Sequence, residues 1–299
     1  MAWNETTIAG RKGFEWRTPR MRVGMVTDCG PRIAFLGRPD GANLLFEDTE
    51  GRGRGEWRLM GGHRVWPTRP GADESEDAYR PDNAPCEVEI ENDVLTAIAP
   101  TDDLLRIRRD IRITPLTDGA FSVDNFITNA GDMLYSGGVW ALTCTDPAKG
   151  RRYGIPLGDG SCWDCFRLVM FHCWGGGHTS RFDDPQIRFT EDMLLVEPQG
   201  IETKRMIEAP RGIIAMDAAD QDTTFLKKVV YDREARYPLG CNLAFYVGPD
   251  NFMVEMETLG PEVTLRPGET AHNVEQWLLT DRAMGLENAS ALTDLFTEA

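Results

Sequence analysis

Residues 241–279 read CNLAFYVGPDNFMVEMETLGPEVTLRPGETAHNVEQWLL, and their punctuation decides the fold class. Short strand-like runs are cut by Gly248-Pro249-Asp250, Gly260-Pro261 and Pro267-Gly268. Proline fixes φ and glycine tolerates positive φ, so these pairs favour turns. Between them Phe252, Val254, Met256 and Thr258 alternate with Met253, Glu255 and Glu257. Side chains alternate across a strand, so the two glutamates share a face, about 7 Å apart. The opposite face is apolar and is expected to pack on a second sheet. Two anions on one face need water, a cation, a hydrogen-bonding ligand or a raised pKa. The plain alternative is a solvated surface strand.

The same alternation extends outward. Met21, Val23 and Met25 open a β-meander that turns at Cys29-Gly30-Pro31 and returns over 33–36. Residues 86–144 read almost entirely as strands, at 94–99, 104–113, 120–128 and 134–144, joined by turn pairs such as Asn92-Asp93 and Asp118-Gly119. Strands resume at 166–171, 186–189, 193–196, 213–216 and 224–231. The first 19 residues read as an arm with a short strand at best, and 145–165 as a loop. One amphipathic helix is expected, over 287–296, with Leu292 and Leu295 or Phe296 as its apolar stripe. There is no repeat of 20–50 residues and no proline-rich linker. The expectation is an all-β chain, one domain over 1–299, with two large, mainly antiparallel sheets packed face to face.

Composition narrows the function classes. A hydrophobic content of 41% in 299 residues can fill a large core. A formal charge of −16 argues against nucleic acid as a partner, because phosphate contacts need clustered cations. No apolar run is long enough to span a bilayer, and the first residues lack an export signal. Seven cysteines without such a signal read as free thiols in a reducing, cytoplasmic setting. Cys162-x-x-Cys165 followed by His172, Cys173 and His178 also invites a zinc reading, but the spacing matches no finger. A free-thiol cluster is preferred. No cofactor motif is found, and no strong metal motif, although two acidic residues with His63 and His178 could make a metal site in space.

Long loops rich in polar and aromatic residues are more often sites than connectors. Residues 47–62 form a glycine-rich loop without the strand-to-helix crossover of a dinucleotide fingerprint. The stretch around His63 reads as a loop carrying Arg64 and Trp66, with Tyr79, Asp82 and Asn83 shortly after. A second such loop, 172–185, bears His172 and His178. Arg64 can pair with the local acidic excess or clamp a ligand. Trp66 and Trp140 can stack on a sugar face or fill the core. Lys204, Lys227 and Lys228 are surface charge or groove cations. Alternation puts Lys227 and Lys228 on opposite faces, so only one of them can line a groove. His272 and Glu275 read as edge-strand surface residues.

Four segments in this order carry a resemblance: GGHRVW from residue 61, VDNFITNAGDMLYSGGVWALT at 123–143, FLKKVVYDREARYPLGCNLAFY at 225–246, and VEMETLGPEVTLRPGETAHNVEQWLL at 254–279. Together they resemble the galactose-mutarotase-like (aldose 1-epimerase-like) superfamily of β-supersandwich proteins. More narrowly they resemble a branch of it known mainly as a domain of unknown function. The resemblance implies a carbohydrate held in the concave groove of one sheet. It implies a late carboxylate as general base on the anomeric hydroxyl, best matched by Glu255 and next by Glu257. It implies a histidine as general acid on the ring oxygen, since opening a hemiacetal needs one proton removed and another delivered. The chain departs from the epimerase pattern at 138–143, which holds no histidine. His63 is the first substitute, with His172, His178, Lys204 and Lys228 (or Lys227) as others. The reading is a carbohydrate isomerase of the aldose 1-epimerase type. A lyase or hydrolase in the same groove, or a non-catalytic sugar-binding domain, are the alternatives.

Overall fold

The computed structural model describes residues 2–68, 82–147, 150–158, 161, 163, 165–174, 177–179 and 181–298, without the side chains of Arg54, His178 and Glu298. Two ten-stranded sheets dominate it. The first runs Asn4–Ile8, Arg11–Arg17, Arg22–Val26, Arg32–Gly37, His63–Pro67, Val139–Thr145, Val254–Leu259, Leu243–Val247, Thr203–Glu208 and Arg167–Met170. The second runs Ile187–Phe189, Met193–Val196, Arg152–Pro156, Ile213–Ala218, Thr223–Val229, Thr270–Leu279, Ala120–Asn129, Ile107–Thr117, Val94–Ile98 and Glu87–Glu91. Neighbouring strands pair antiparallel throughout.

The core lies between the sheets. Val23, Ile33, Val65, Phe245, Val254 and Met256 of the first sheet meet Ile111, Val123, Ile127, Met216, Phe225 and Trp277 of the second. These are the in-phase apolar positions of alternating strands, as a two-layer packing requires. The outer face of the second sheet is partly covered by the helix Ala289–Glu298, whose Ala289, Leu292 and Phe296 pack on Ala120, Leu195, Ala215 and Leu226. Among the described residues no helix is long and apolar enough to cross a membrane.

Three local expectations are corrected. The N-terminal arm is two strands at one edge of the first sheet. The 145–165 loop contains Arg152–Pro156, an interior strand of the second sheet with neighbours on both sides. His63 lies on no loop: it begins the strand His63–Pro67, which pairs with Val139–Thr145. The glycines before it read as loop signals but serve close backbone packing. Gly61 and Gly62 have φ of +80° and +72°, and a Cβ on them would sit 2.0 Å from Phe46 O and 2.4 Å from Ile33 O.

Candidate functional site

Strand Val254–Leu259 sits inside the first sheet, between Val139–Thr145 and Leu243–Val247. Val254 and Met256 enter the core, so Glu255 and Glu257 project from the sheet's outer face, away from the second sheet. They are not solvated: Glu255 is 7% exposed and Glu257 is 0% exposed. Cations meet the electrostatic demand of the two anions. Arg64 Nη2 donates to Glu255 Oε1 at 3.1 Å, and the Cys144 thiol donates to the same oxygen at 3.4 Å. Lys204 Nζ lies 2.8 and 2.6 Å from the two oxygens of Glu257, and the Trp140 indole N–H donates to Oε2 at 2.8 Å. Both Glu257 oxygens are thus engaged. Glu255 Oε2 takes no hydrogen bond among the described residues.

Indoles frame these pairs. Trp66 and Trp140 meet edge to face at 5.6 Å, and Trp57 meets Trp66 at 6.0 Å. The Arg64 guanidinium lies 4.5 Å from the Trp66 ring, and the Lys204 ammonium lies 5.0 Å from Trp140 and 4.7 Å from Trp174. Trp57 arrives on the hairpin Gly53–Arg54 with Trp57–Arg58, and Trp174 on the hairpin Cys173–Trp174 with Gly177–His178. Behind Arg64, Asp82 Oδ2 accepts from Arg32 Nη2 at 3.0 Å and from the Trp57 indole at 3.0 Å. Burial alone would raise Asp82, but Arg32, Arg64 and Arg109 outweigh it and hold its carboxyl below the usual range. Burial likewise opposes the charge of Arg64, yet Cys144, Glu255 and Asp82 more than offset it.

His63 belongs elsewhere. Its register partner is Thr143, which also pairs with Met256, so its ring points between the sheets. The alternation that turns Arg64 and Glu255 outward turns His63 inward, and the structure does not bring His63 and Glu255 together. Nδ1 lies 2.8 Å from Thr143 Oγ1 and Nε2 lies 2.8 Å from Asn125 Oδ1, with Glu275 at 3.7 Å. Burial lowers its pKa to about 4, against the opposing pull of Glu275. A buried, neutral imidazole behind the sheet cannot serve as the acid at a site on the front. Lys227 joins the same inner layer: Nζ donates to Thr143 Oγ1 at 2.7 Å and to Met256 O at 3.0 Å, and lies 2.8 Å from Glu275 Oε1. Glu275, expected at the surface, is fully buried, with Thr258 Oγ1 at 2.5 Å and the Trp277 indole N–H at 2.8 Å.

The other candidates separate cleanly. Arg64, Trp66, Trp140, Lys204 and Glu257 gather on the outer face with Glu255. Asn83 pins the first hairpin, accepting from Arg58 N at 2.6 Å and donating to Arg58 O at 2.9 Å. His172 is exposed at the foot of the second hairpin, where its carbonyl accepts from Thr179 N. Lys228 is in the second sheet, 5.2 Å from Phe296 of the C-terminal helix, so neither Lys227 nor Lys228 lines the outer face of the first sheet. Tyr79 and the His178 side chain lie outside the described residues. Sequence reasoning passed over Trp57, Trp174, Arg32 and Cys144 as site residues. The signal for Arg32 was present, because it alternates with buried Ile33 just as Arg64 alternates with Val65.

Comparison with solved structures agrees with this architecture. A proposed aldose 1-epimerase from Escherichia coli K12 superposes with a TM-score of 0.63 at 12% identity, over 90% of this chain and 98% of that one. A galactose mutarotase-like protein from Lactobacillus casei gives 0.59 at 11%, over 90% and 100%. A proposed mutarotase from Salmonella typhimurium gives 0.62 at 12%, over 94% of each chain. No protein-family model and no curated protein sequence matches. The chain has the galactose-mutarotase-like supersandwich fold. The narrower branch suggested by its motifs is not reached by these comparisons.

Proposed function

We propose that the protein binds a carbohydrate against the outer face of the first sheet and interconverts its anomers there, in the manner of an aldose 1-epimerase. The observation that carries this reading is the contrast between the two glutamates. Glu257 has both oxygens occupied, whereas among the described residues Glu255 Oε2 takes no hydrogen bond. Glu255 is therefore the general base, and Arg64 orients it through Oε1. On this face the remaining proton donor is Lys204, fully buried with Nζ on both Glu257 oxygens, so it must leave Glu257 to reach a ring oxygen. Lys204 pairs with Tyr246, which pairs with Glu255, so the two Cα atoms lie two strands apart at one level. That is roughly 10 Å between the Cα atoms. Trp66 and Trp140, 2% and 1% exposed, form the apolar backing that holds Arg64 and Lys204 in place. Six free thiols among the described residues support a reducing, cytoplasmic setting.

Exchange NMR across a panel of aldoses and uronic acids tests this. Wild-type protein accelerates α/β interconversion of at least one sugar, and Glu255→Gln lowers that rate by about 10²–10⁴-fold, the range for a lost acid–base group. Unchanged turnover in Glu255→Gln removes the base assignment. A second reading, a non-catalytic carbohydrate-binding domain, is favoured by two features: both carboxylates already carry cationic partners, and among the described residues the sheet's only histidine faces inward. It predicts sugar binding with no acceleration.

A further inference from the structure

A cavity of about 570 Å³ opens at the far end of the same outer face, and neither the epimerase reading nor the resemblance uses it. That volume is within the range of small-molecule sites. Its floor is the first sheet. Arg167 and Glu208 are register partners, and Val169 and Met206, two residues along each strand, belong to the cluster around Trp66 and Trp140. Leu239 lines the cavity and packs on that same cluster, so it forms the sill between the indole wall and the cavity. Leu239 sits at φ +51°, a left-handed conformation that a branched side chain rarely adopts.

The walls are held in place before any ligand arrives. Tyr231 stacks on Tyr237, centroids 5.4 Å apart, and its hydroxyl donates to Glu208 at 2.6 Å. The Tyr237 hydroxyl accepts from Asp232 N at 2.9 Å. Arg167 donates to Gly240 O at 3.1 Å, and a Cβ at Gly240 would collide with that guanidinium at 1.7 Å. Arg236 Nε lies 3.1 Å from Glu262. The lining carries three arginines and three glutamates, so its formal charges balance in a chain of net −16. A balanced set of donors and acceptors beside an aromatic stack matches a neutral polyol: hydroxyls accept from guanidinium and donate to carboxylate, and C–H faces cover the ring.

We propose that this cavity is a second saccharide subsite, so that the natural ligand is a neutral oligosaccharide rather than a free monosaccharide. The proposal rests on carbohydrate binding at the outer face. Register places Glu208 two strands and two residues from Glu257, roughly 12 Å, and two strands and four residues from Glu255, roughly 17 Å. Those spans exceed one sugar ring, so a chain of linked units joins the two sites across Leu239.

Calorimetric titration with malto-, cello-, xylo- and galacto-oligosaccharides of one to four units tests it. In the series that binds, the trisaccharide binds at least tenfold tighter than the monosaccharide. That ratio falls below threefold in Arg236→Ala, whose side chain is 81% exposed and dispensable for folding, and in Tyr231→Ala. Tyr231→Phe, which keeps the ring stack, retains a ratio above threefold. A ratio near one in the wild type, or an undiminished ratio in both alanine variants, overturns the subsite and leaves the Glu255 reading standing. Absence of binding by every sugar of every length overturns both.

Discussion

Replacing Lys227 by methionine strands a carboxylate in the middle of the molecule. Lys227 and Glu275 are both fully buried between the sheets, with Nζ 2.8 Å from Oε1. Glu275 also takes bonds from Thr258 and Trp277. Burial alone would raise its pKa, but Lys227, through its charge and its hydrogen bond, leads what outweighs burial and holds it below its ordinary 4.5. Its ionised form therefore stabilises the fold above about pH 4.5, and that stabilisation is lost as pH falls through the lowered folded value. Removing one partner of a buried pair destabilises by about 3–5 kcal/mol. At roughly 2 °C per kcal/mol for a chain of this size, the melting temperature drops by roughly 6–10 °C at pH 7. In the variant burial acts unopposed by the lysine, so the carboxyl takes up a proton on mild acidification and the penalty relative to wild type shrinks toward pH 4. The double variant Lys227→Met/Glu275→Gln recovers most of the loss, because a neutral amide keeps the Thr258 and Trp277 contacts without a buried charge. Thermal unfolding followed by circular dichroism at pH 7 and pH 4.5 reads all three. A single variant within about 1 kcal/mol of wild type, or a loss equal at both pH values, refutes the reasoning.

Other outcomes follow from the same contacts. The His63 imidazole stays neutral from pH 8 to 5.5 in NMR titration, because burial lowers its pKa from 6.5 to about 4. The fold therefore loses stability as pH falls from 6.5 toward 4, where the unfolded chain takes up a proton that the buried ring does not. His63→Gln, measured by denaturant unfolding, loses this pH dependence. Trp140→Phe removes the indole bond to Glu257 Oε2 while Lys204 still donates to that oxygen, a loss of about 1–3 kcal/mol in the same measurement. Timed alkylation with mass spectrometry labels exposed Cys165 and Cys173 first, while Cys144, whose pKa is raised by burial and by Glu255 against the pull of Arg64, reacts only on unfolding.

Turn chemistry and period-two alternation were enough to expose the two-layer architecture, since each was repeated strand after strand. They also put Glu255 and Glu257 on one face with apolar neighbours behind, which is where the structure places them. What alternation within one strand cannot supply is which sheet a strand joins. Lys227 and Lys228 were therefore set against a groove that belongs to the other sheet. His63 was misread because two glycines look like a loop when their tight approach to Phe46 and Ile33 is invisible. The inner polar layer was legible in part. Asn125 lies in phase with core Val123 and Ile127, and Glu275 with core Trp277, so both point inward. Glu275 reads as an edge feature because its partners Lys227 and Thr258 arrive from other strands.

The claim on which the account turns is that a saccharide rests on the outer face of the first sheet with Glu255 at its anomeric centre. A crystal structure of the protein soaked with the tightest-binding sugar tests it directly. The account predicts the anomeric oxygen within about 3 Å of Glu255 Oε2. A sugar bound on any other surface, or one whose anomeric carbon lies beyond hydrogen-bonding reach of Glu255, contradicts it.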